Sequence, residues 1–200
     1  MPATPDSSPS PILWPDADRQ AAFGRWLAGI APRHGLQPQT LQAASADASF
    51  RRYFRLQGAA GTLVVMDAPP PREDVRPFVR VAALIGRAGL HGPEVLECDA
   101  EQGFLLLTDL GHALYLDALR EGPAERADLL MRDALRALVQ WQLQVPAAEL
   151  PPYDEALLAR ELALFPEWCV QREFGITWGD AERKAWDGVC RLLIGSALTC

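Results

Sequence analysis

The chain has 200 residues, 49% hydrophobic and 22% charged, the balance of an ordinary globular protein rather than of a disordered or low-complexity one. Its 26 acids against 19 bases give a net charge of -7 with no Lys/Arg run, which argues against a nucleic-acid partner. No apolar stretch approaches the roughly 20 residues that a membrane-spanning helix needs, so no membrane association is expected.

Residues 1–15 are rich in Pro and Ser and lack the basic start and apolar middle of a secretion signal. They read as a disordered lead-in to a cytoplasmic protein. Asp16 or Asp18 then caps a helix whose Phe23, Trp26, Leu27 and Ile30 form one apolar stripe, closed by Pro32 and Gly35. Residues 41–44 lead into a small-residue turn over 45–48. From 49 to 57 the chain alternates, with Phe50, Arg52, Phe54 and Leu56 on one side and Arg51, Tyr53 and Arg55 on the other, which suits a half-exposed strand. A turn over 58–61 precedes a short apolar strand at 62–66, completing a three-stranded meander.

Three successive prolines, Pro69, Pro70 and Pro71, break the sheet because they supply no ladder donors. A helix follows with Val75, Phe78, Val79, Ala82 and Ile85 facing inward, and then strands at 94–98 and 104–108. After Gly111 everything reads as helix: a short one at 114–120 and a longer one opened by Pro123, with Leu130, Ala134, Leu138 and Trp141 on one face. A linker spans 146–152. A helix capped by Asp154 is kinked at Pro166, and a last helix from Asp180 turns Trp186, Val189, Cys190 and Leu193 inward. Strands grouped at one end and helices at the other imply an α+β protein. Cys98, Cys169, Cys190 and Cys200 form no C-x-x-C pair, and with only three histidines a zinc site is not expected; reduced, mostly buried thiols are.

Five antiparallel strands with one helix between the third and fourth, followed by helices, is a protein-kinase-like layout. Four stretches narrow it: SADASFRRYFR at 45–55, VMDAPPPRED at 65–74, FLLLTDLG at 104–111 and YDEALLARELALFPEW at 153–168. Together they resemble the N-acetylmuramate/N-acetylglucosamine anomeric kinase branch of the aminoglycoside phosphotransferase family. The resemblance implies a nucleotide-binding N-lobe over 16–108, then a hinge and a partial helical C-lobe over 109–200. It also implies ATP with Mg²⁺ as cofactors and an N-acetylated amino sugar phosphorylated on its anomeric hydroxyl, in cell-wall recycling.

Site residues follow from the same resemblance. Ser45, Ala46, Asp47, Ala48 and Ser49 would form the loop over the ATP phosphates, since small residues let backbone N–H groups approach phosphate oxygens. Composition alone reads that stretch as a hairpin turn. Kinases place a Lys on the third strand, yet Met66 stands there and the only lysine is Lys184. Arg51 and Arg52 are the candidate substitutes, or else solvent-facing strand residues. Glu73 is either their acidic partner or a helix-start carboxylate. Leu107 would wall the back of an adenine site, with the Asp109 C=O and Leu110 N–H as hydrogen-bonding groups. The alternative there is a strand end with Asp109 as a helix cap. Tyr153, Asp154, Glu155 and Glu161 would contact the sugar, although Asp154 also suits an N-cap and Glu161 a solvated face. Trp168, Trp178 and Trp186 read as core rather than as a stacking platform.

Phosphoryl transfer needs a carboxylate at the acceptor hydroxyl and metal ligands, which the family draws from a His-x-Asp…Asn loop and a later Asp. These 200 residues contain no asparagine, and none of His34, His91 and His112 is followed two positions on by Asp. No catalytic residue and no metal ligand is therefore assigned, and negligible turnover is expected of this chain alone, with exposed apolar surface on the final helix. The competing readings are a pseudokinase-like module that binds nucleotide or sugar without catalysis, and an α+β scaffold with no ligand.

Overall fold

Asp16 accepts the Arg19 N–H at 2.6 Å and so starts α1, Ala17–His34, which Gly35 ends in the left-handed region at φ 58°. The computed structural model describes residues 12–14, 16–46 and 50–199, the side chains of 45, 46 and 121 apart. Pro32 lies inside α1 rather than closing it. Most of the expected lead-in falls outside the described residues, but Ile12 and Trp14 pack against the core and the Leu13 carbonyl accepts from Arg52 at 2.9 Å.

The strands are β1 (Gln37–Ala46), β2 (Arg52–Gly58), β3 (Gly61–Asp67), β4 (Val95–Asp99) and β5 (Phe104–Thr108). They form one antiparallel sheet in the order β1-β2-β3-β5-β4. Strand β1 starts earlier and runs later than expected, so Ser45 and Ala46 belong to the ladder, opposite Tyr53 and Arg52, rather than to a turn.

Period-2 alternation assigns the two faces. Phe54, Leu56, Val65, Phe104 and Leu106 meet Phe23, Leu27 and Ile30 of α1 on one face. Met66, Leu105 and Leu107 meet Val75 on the other, with Phe78 and Val79 of α2 (Arg76–Arg87) packed against them. Within α2 itself the buried side chain is Leu84, not the Ala82 and Ile85 of the expected stripe, which stay half-exposed. The sheet is thus covered on both sides, which is why β5 reads as an unbroken apolar run.

On the α1 face, Asp67 is fully buried and is held by the guanidinium groups of Arg19 (Nε at 2.9 Å, and Nη2) and Arg52 (Nη2). At the β4–β5 turn, Gly103 has φ 71°, and its carbonyl accepts the Ala68 N–H at 2.9 Å. A Cβ there would lie 1.9 Å from the Ala68 oxygen, so only glycine lets the Pro-rich segment cross this turn.

The chain divides into two compact units, Met1–Val145 and Pro146–Cys200, and the break falls at the start of the expected linker. The first also contains α3 (Tyr115–Glu121) and α4 (Ala124–Gln144). Helix α4 has no buried residue: Leu129, Leu135 and Leu138 are all exposed, including the Leu138 of the expected inner face. The second contains α5 (Glu155–Leu164), a π-helical stretch over Phe165–Glu173 where a kink was expected, and α6 (Asp180–Ala197). On α6, Trp186 and Cys190 are half-buried, whereas Val189 and Leu193 are exposed, contrary to an inward position. Cys98, Cys169 and Cys190 are free thiols as expected, but Cys98 is exposed and the other two only half-buried.

Candidate nucleotide site

The sheet face that carries Tyr53, Arg55, Val64 and Leu107 forms one wall of a cavity of about 500 Å³. The segment that leaves β5, Thr108 to His112, lines it too, with Phe78, Pro93 and Leu114. That volume suits a small organic ligand, and the lining is mostly apolar with a few polar groups at the rim. Of the lining residues, Leu107 is buried and Leu110 half exposed.

Arg55 organises the rim. Its Nε and Nη2 donate to the two carboxylate oxygens of Asp109 at 2.6 and 2.8 Å, a bidentate pair. Nη2 also donates to the Gly111 carbonyl at 3.1 Å, and Nη1 to His112 Nδ1 at 2.9 Å, which puts the imidazole proton on Nε2. Asp109 Oδ1 further accepts the Gly111 N–H at 2.9 Å. The Arg55 hydrogen bonds hold the Asp109 carboxyl far below the ordinary carboxylate range, against the opposing effect of burial, with help from Gly111 and Thr62. The Arg55 guanidinium is raised in turn by the same partner. Asp109 is neither a helix cap nor free to meet a ligand; only its backbone is available.

The other expected residues scatter. Asp47, Ala48 and Ser49 lie outside the described residues. Next to them, Glu73 accepts the Phe50 N–H at 3.1 Å and sits 3.7 Å from Arg51 Nε, so it acts as a partner across 23 residues, not as a helix-start carboxylate. Arg52 is on the α1 face with Asp67 and stacks over Trp14, with 4.5 Å from Cζ to the ring centroid, on the side of the sheet away from the cavity. Met66 is completely buried between sheet and α2, and its side chain does not reach the cavity wall. The structure therefore brings together Leu107, Asp109 and Leu110, with Arg51 tied to Glu73 beside the loop, and separates Arg52 from them. Arg55 and His112 were missed as site residues: the alternation placed Arg55 on the correct face, but its acidic partner stands 54 positions away and no local spacing signals it.

Within the second unit, Asp154 caps α5 by accepting the Leu157 N–H at 2.9 Å, and Tyr153, Glu155 and Glu161 are exposed. None of the four lines the cavity of about 450 Å³ in that unit, which is walled by Pro166, Val170, Ile176, Trp178 and Trp186 with Glu167 at its rim. Trp178 and Trp186 pack together at 5.8 Å and are half-buried, whereas Trp168 is exposed beneath Arg172 and is not core. Among the described residues no three His, Cys, Asp or Glu side chains come together to hold a metal ion. No described helix is long and apolar enough to cross a membrane.

A five-stranded antiparallel sheet with a helix between its third and fourth strands, closed against a connecting segment that walls a cavity, defines an α+β protein with a kinase-like phosphotransferase fold. Residues 40–193 match the phosphotransferase enzyme family, and the chain belongs to it. It is 53% identical over 161 residues to the N-acetylmuramate/N-acetylglucosamine kinase of Pseudomonas aeruginosa, which covers 80% of this chain and 47% of that protein. The protein of that name from Pseudomonas putida is 53% identical over 159 residues, covering 80% and 46%. The one from Neisseria meningitidis serogroup B is 37% identical over 170 residues, covering 84% and 49%. The chain thus spans about half the length of these curated relatives.

Proposed function

We propose that this chain is the nucleotide-binding part of an ATP-dependent kinase that phosphorylates the anomeric hydroxyl of N-acetylmuramate or N-acetylglucosamine, working in the cytoplasm in cell-wall recycling. The observation that carries the nucleotide half is the cavity between Val64, Leu107 and the 108–112 segment. A flat base fits against these apolar side chains; the Asp109 C=O and Leu110 N–H belong to one trans peptide and point opposite ways, so the Leu110 N–H alone is taken as the donor to it. The acceptor half is supported by the names of the relatives, three of which are 37–53% identical to this chain.

In the reaction, the anomeric oxygen of the sugar attacks the γ-phosphorus of ATP. The bond from that phosphorus to the bridging oxygen breaks, ADP leaves, and the hydroxyl proton passes to a base. None of the 200 residues is assigned as that base. What these residues contribute is capture and orientation: apolar walls for the base, and the Glu73-anchored backbone of Phe50 and Arg51 beside the loop expected over the phosphates. Sugar contacts are proposed for Tyr153, Glu155 and Glu161, which are exposed, and for Asp154, whose Oδ1 also caps α5.

Calorimetric titration of the purified chain with ATP, and with Val64→Trp to fill the cavity, tests the nucleotide half. Saturable binding that the tryptophan abolishes is expected; equal binding by both proteins would place the nucleotide elsewhere. Phosphorus NMR of the chain with ATP and either sugar is expected to show no sugar 1-phosphate above background. Turnover would refute the expected inactivity of these residues by themselves.

A further inference from the structure

We infer that Arg55 is a positioning residue for base recognition: by gripping Asp109, the Gly111 carbonyl and His112 together, it fixes the backbone of the 109–112 segment against β2 and so sets a preference for adenine over guanine. The inference rests on the nucleotide reading of this cavity.

Strand β2 is an interior strand, and Arg55 is paired with Gln42 of β1 and Val64 of β3, so its Cα is held from both sides. The segment it grips is held much less. Thr108 is the last residue in the ladder, opposite Leu63, and its N–H donates to the Glu94 carbonyl at 3.1 Å. Beyond it, the polar contacts that tie residues 109–112 to the sheet converge, among the described residues, on the Arg55–Asp109 pair. Gly111, at φ 89°, is a natural pivot directly after Leu110, whose N–H would read the base. A single guanidinium bridging to residues 109, 111 and 112 removes that freedom.

The side chain has to be arginine for this purpose. Its planar fork reaches both carboxylate oxygens while a third nitrogen meets His112; a lysine supplies one point charge and no fork. The pair is well shielded, with side-chain exposures of 11% for Arg55 and 4% for Asp109, so its attraction is little screened by solvent or salt. Base choice is sensitive to such placement. The reading edge of adenine offers an acceptor at N1 and a donor at N6, whereas guanine offers a donor at N1 and an acceptor at O6. A backbone N–H set against N1 is satisfied by adenine and opposed by the N1–H of guanine only while it is held in register, and that discrimination is lost once the donor wanders.

The test measures ATP, GTP and inorganic tripolyphosphate binding to the purified chain by calorimetry, with thermal melting alongside. Four variants are compared: Arg55→Lys, Arg55→Met, Asp109→Asn, and the double variant Arg55→Met/Asp109→Leu. The double variant removes both charges and guards against misfolding from one unpaired ion. Wild type is expected to prefer ATP. The Arg55→Met, Asp109→Asn and double variants should bind ATP about tenfold or more weakly, with the ATP-to-GTP ratio falling towards one. Tripolyphosphate binding should be unchanged, which a merely structural loss would not spare. Arg55→Lys should restore melting better than it restores base preference. Arg76→Met, in an exposed ion pair with Asp74 and Glu101, should change none of these values. If folded variants keep the wild-type ATP-to-GTP ratio, Arg55 does not position the base although the cavity still binds nucleotide. If wild type binds neither nucleotide, the nucleotide reading fails and this inference with it.

Discussion

In the unit that ends at Val145, a sheet is covered on both faces. Phe54, Leu56, Val65, Met66, Phe104, Leu105 and Leu106 are each at most 3% exposed. In the unit that begins at Pro146, Val170 is the one buried hydrophobic among the described residues, and Leu192, Leu193 and Leu198 on and just after α6 are open to solvent. Both units carry similar apolar residues, but burial differs because a two-sided sheet lets every second residue meet one layer or the other. Helical elements without a sheet offer each other only narrow stripes. The consequence is unequal stability: the sheet unit carries the free energy that holds its cavity in shape, and the helical unit contributes little of its own.

Four perturbations sharpen or break that contrast. Gly103→Ala should have the largest effect, about 4 kcal/mol or more, because the new Cβ meets backbone rather than a movable side chain. An unchanged melting temperature would mean that the Ala68–Gly103 crossing is not rigid. Asp67→Ala follows at about 3–5 kcal/mol, since it leaves two guanidinium groups facing a buried gap on the α1 face. Denaturant unfolding checks it, and a loss below 1 kcal/mol would remove that ion cluster from the account.

The third perturbation is pH. Asp109 has a folded-state pKa below its ordinary value of 3.8, so its charged form contributes stability that is present above that value and lost as the pH falls through the depressed range. Arg55 is the charged group that holds it, and His112 meets the same guanidinium. Wild type should therefore lose stability more steeply than Asp109→Asn as the pH is lowered from about 5 towards 2. Parallel curves would contradict the pairing, and a His112→Gln control separates any contribution from the imidazole. Smallest of all, Leu192→Ser on α6 should stay within about 0.5 kcal/mol, since that side chain is 76% exposed. A loss comparable to that of Asp67→Ala would show a hidden core in the second unit.

Much of the sheet was legible because its signals are local. The apolar run at 104–108, the Pro block at 69–71 and the alternation through Tyr53, Phe54 and Arg55 each act over a few residues. The failures share one physical cause, which is partnership over long sequence separations. Nothing near Arg52 announces Asp67 as a buried carboxylate, and nothing near Arg55 announces Asp109. Arg52 and Arg55, three residues apart, lie on opposite faces, and the strand itself does not tell which face meets a buried carboxylate and which a cavity, so the two exchanged their expected importance. Helix α4 misled in the opposite sense. A good amphipathic stripe with Leu138 at its centre predicts burial, yet a stripe states only which side a helix would bury.

The account depends most on a base lying between the sheet and the segment after β5. Backbone amide NMR of the chain titrated with ADP reads this directly. The Leu110 N–H should shift and gain protection from exchange together with signals of Leu107 and Val64, while α6 stays unchanged. Shifts confined to the second unit, or none at saturating ADP, would contradict it.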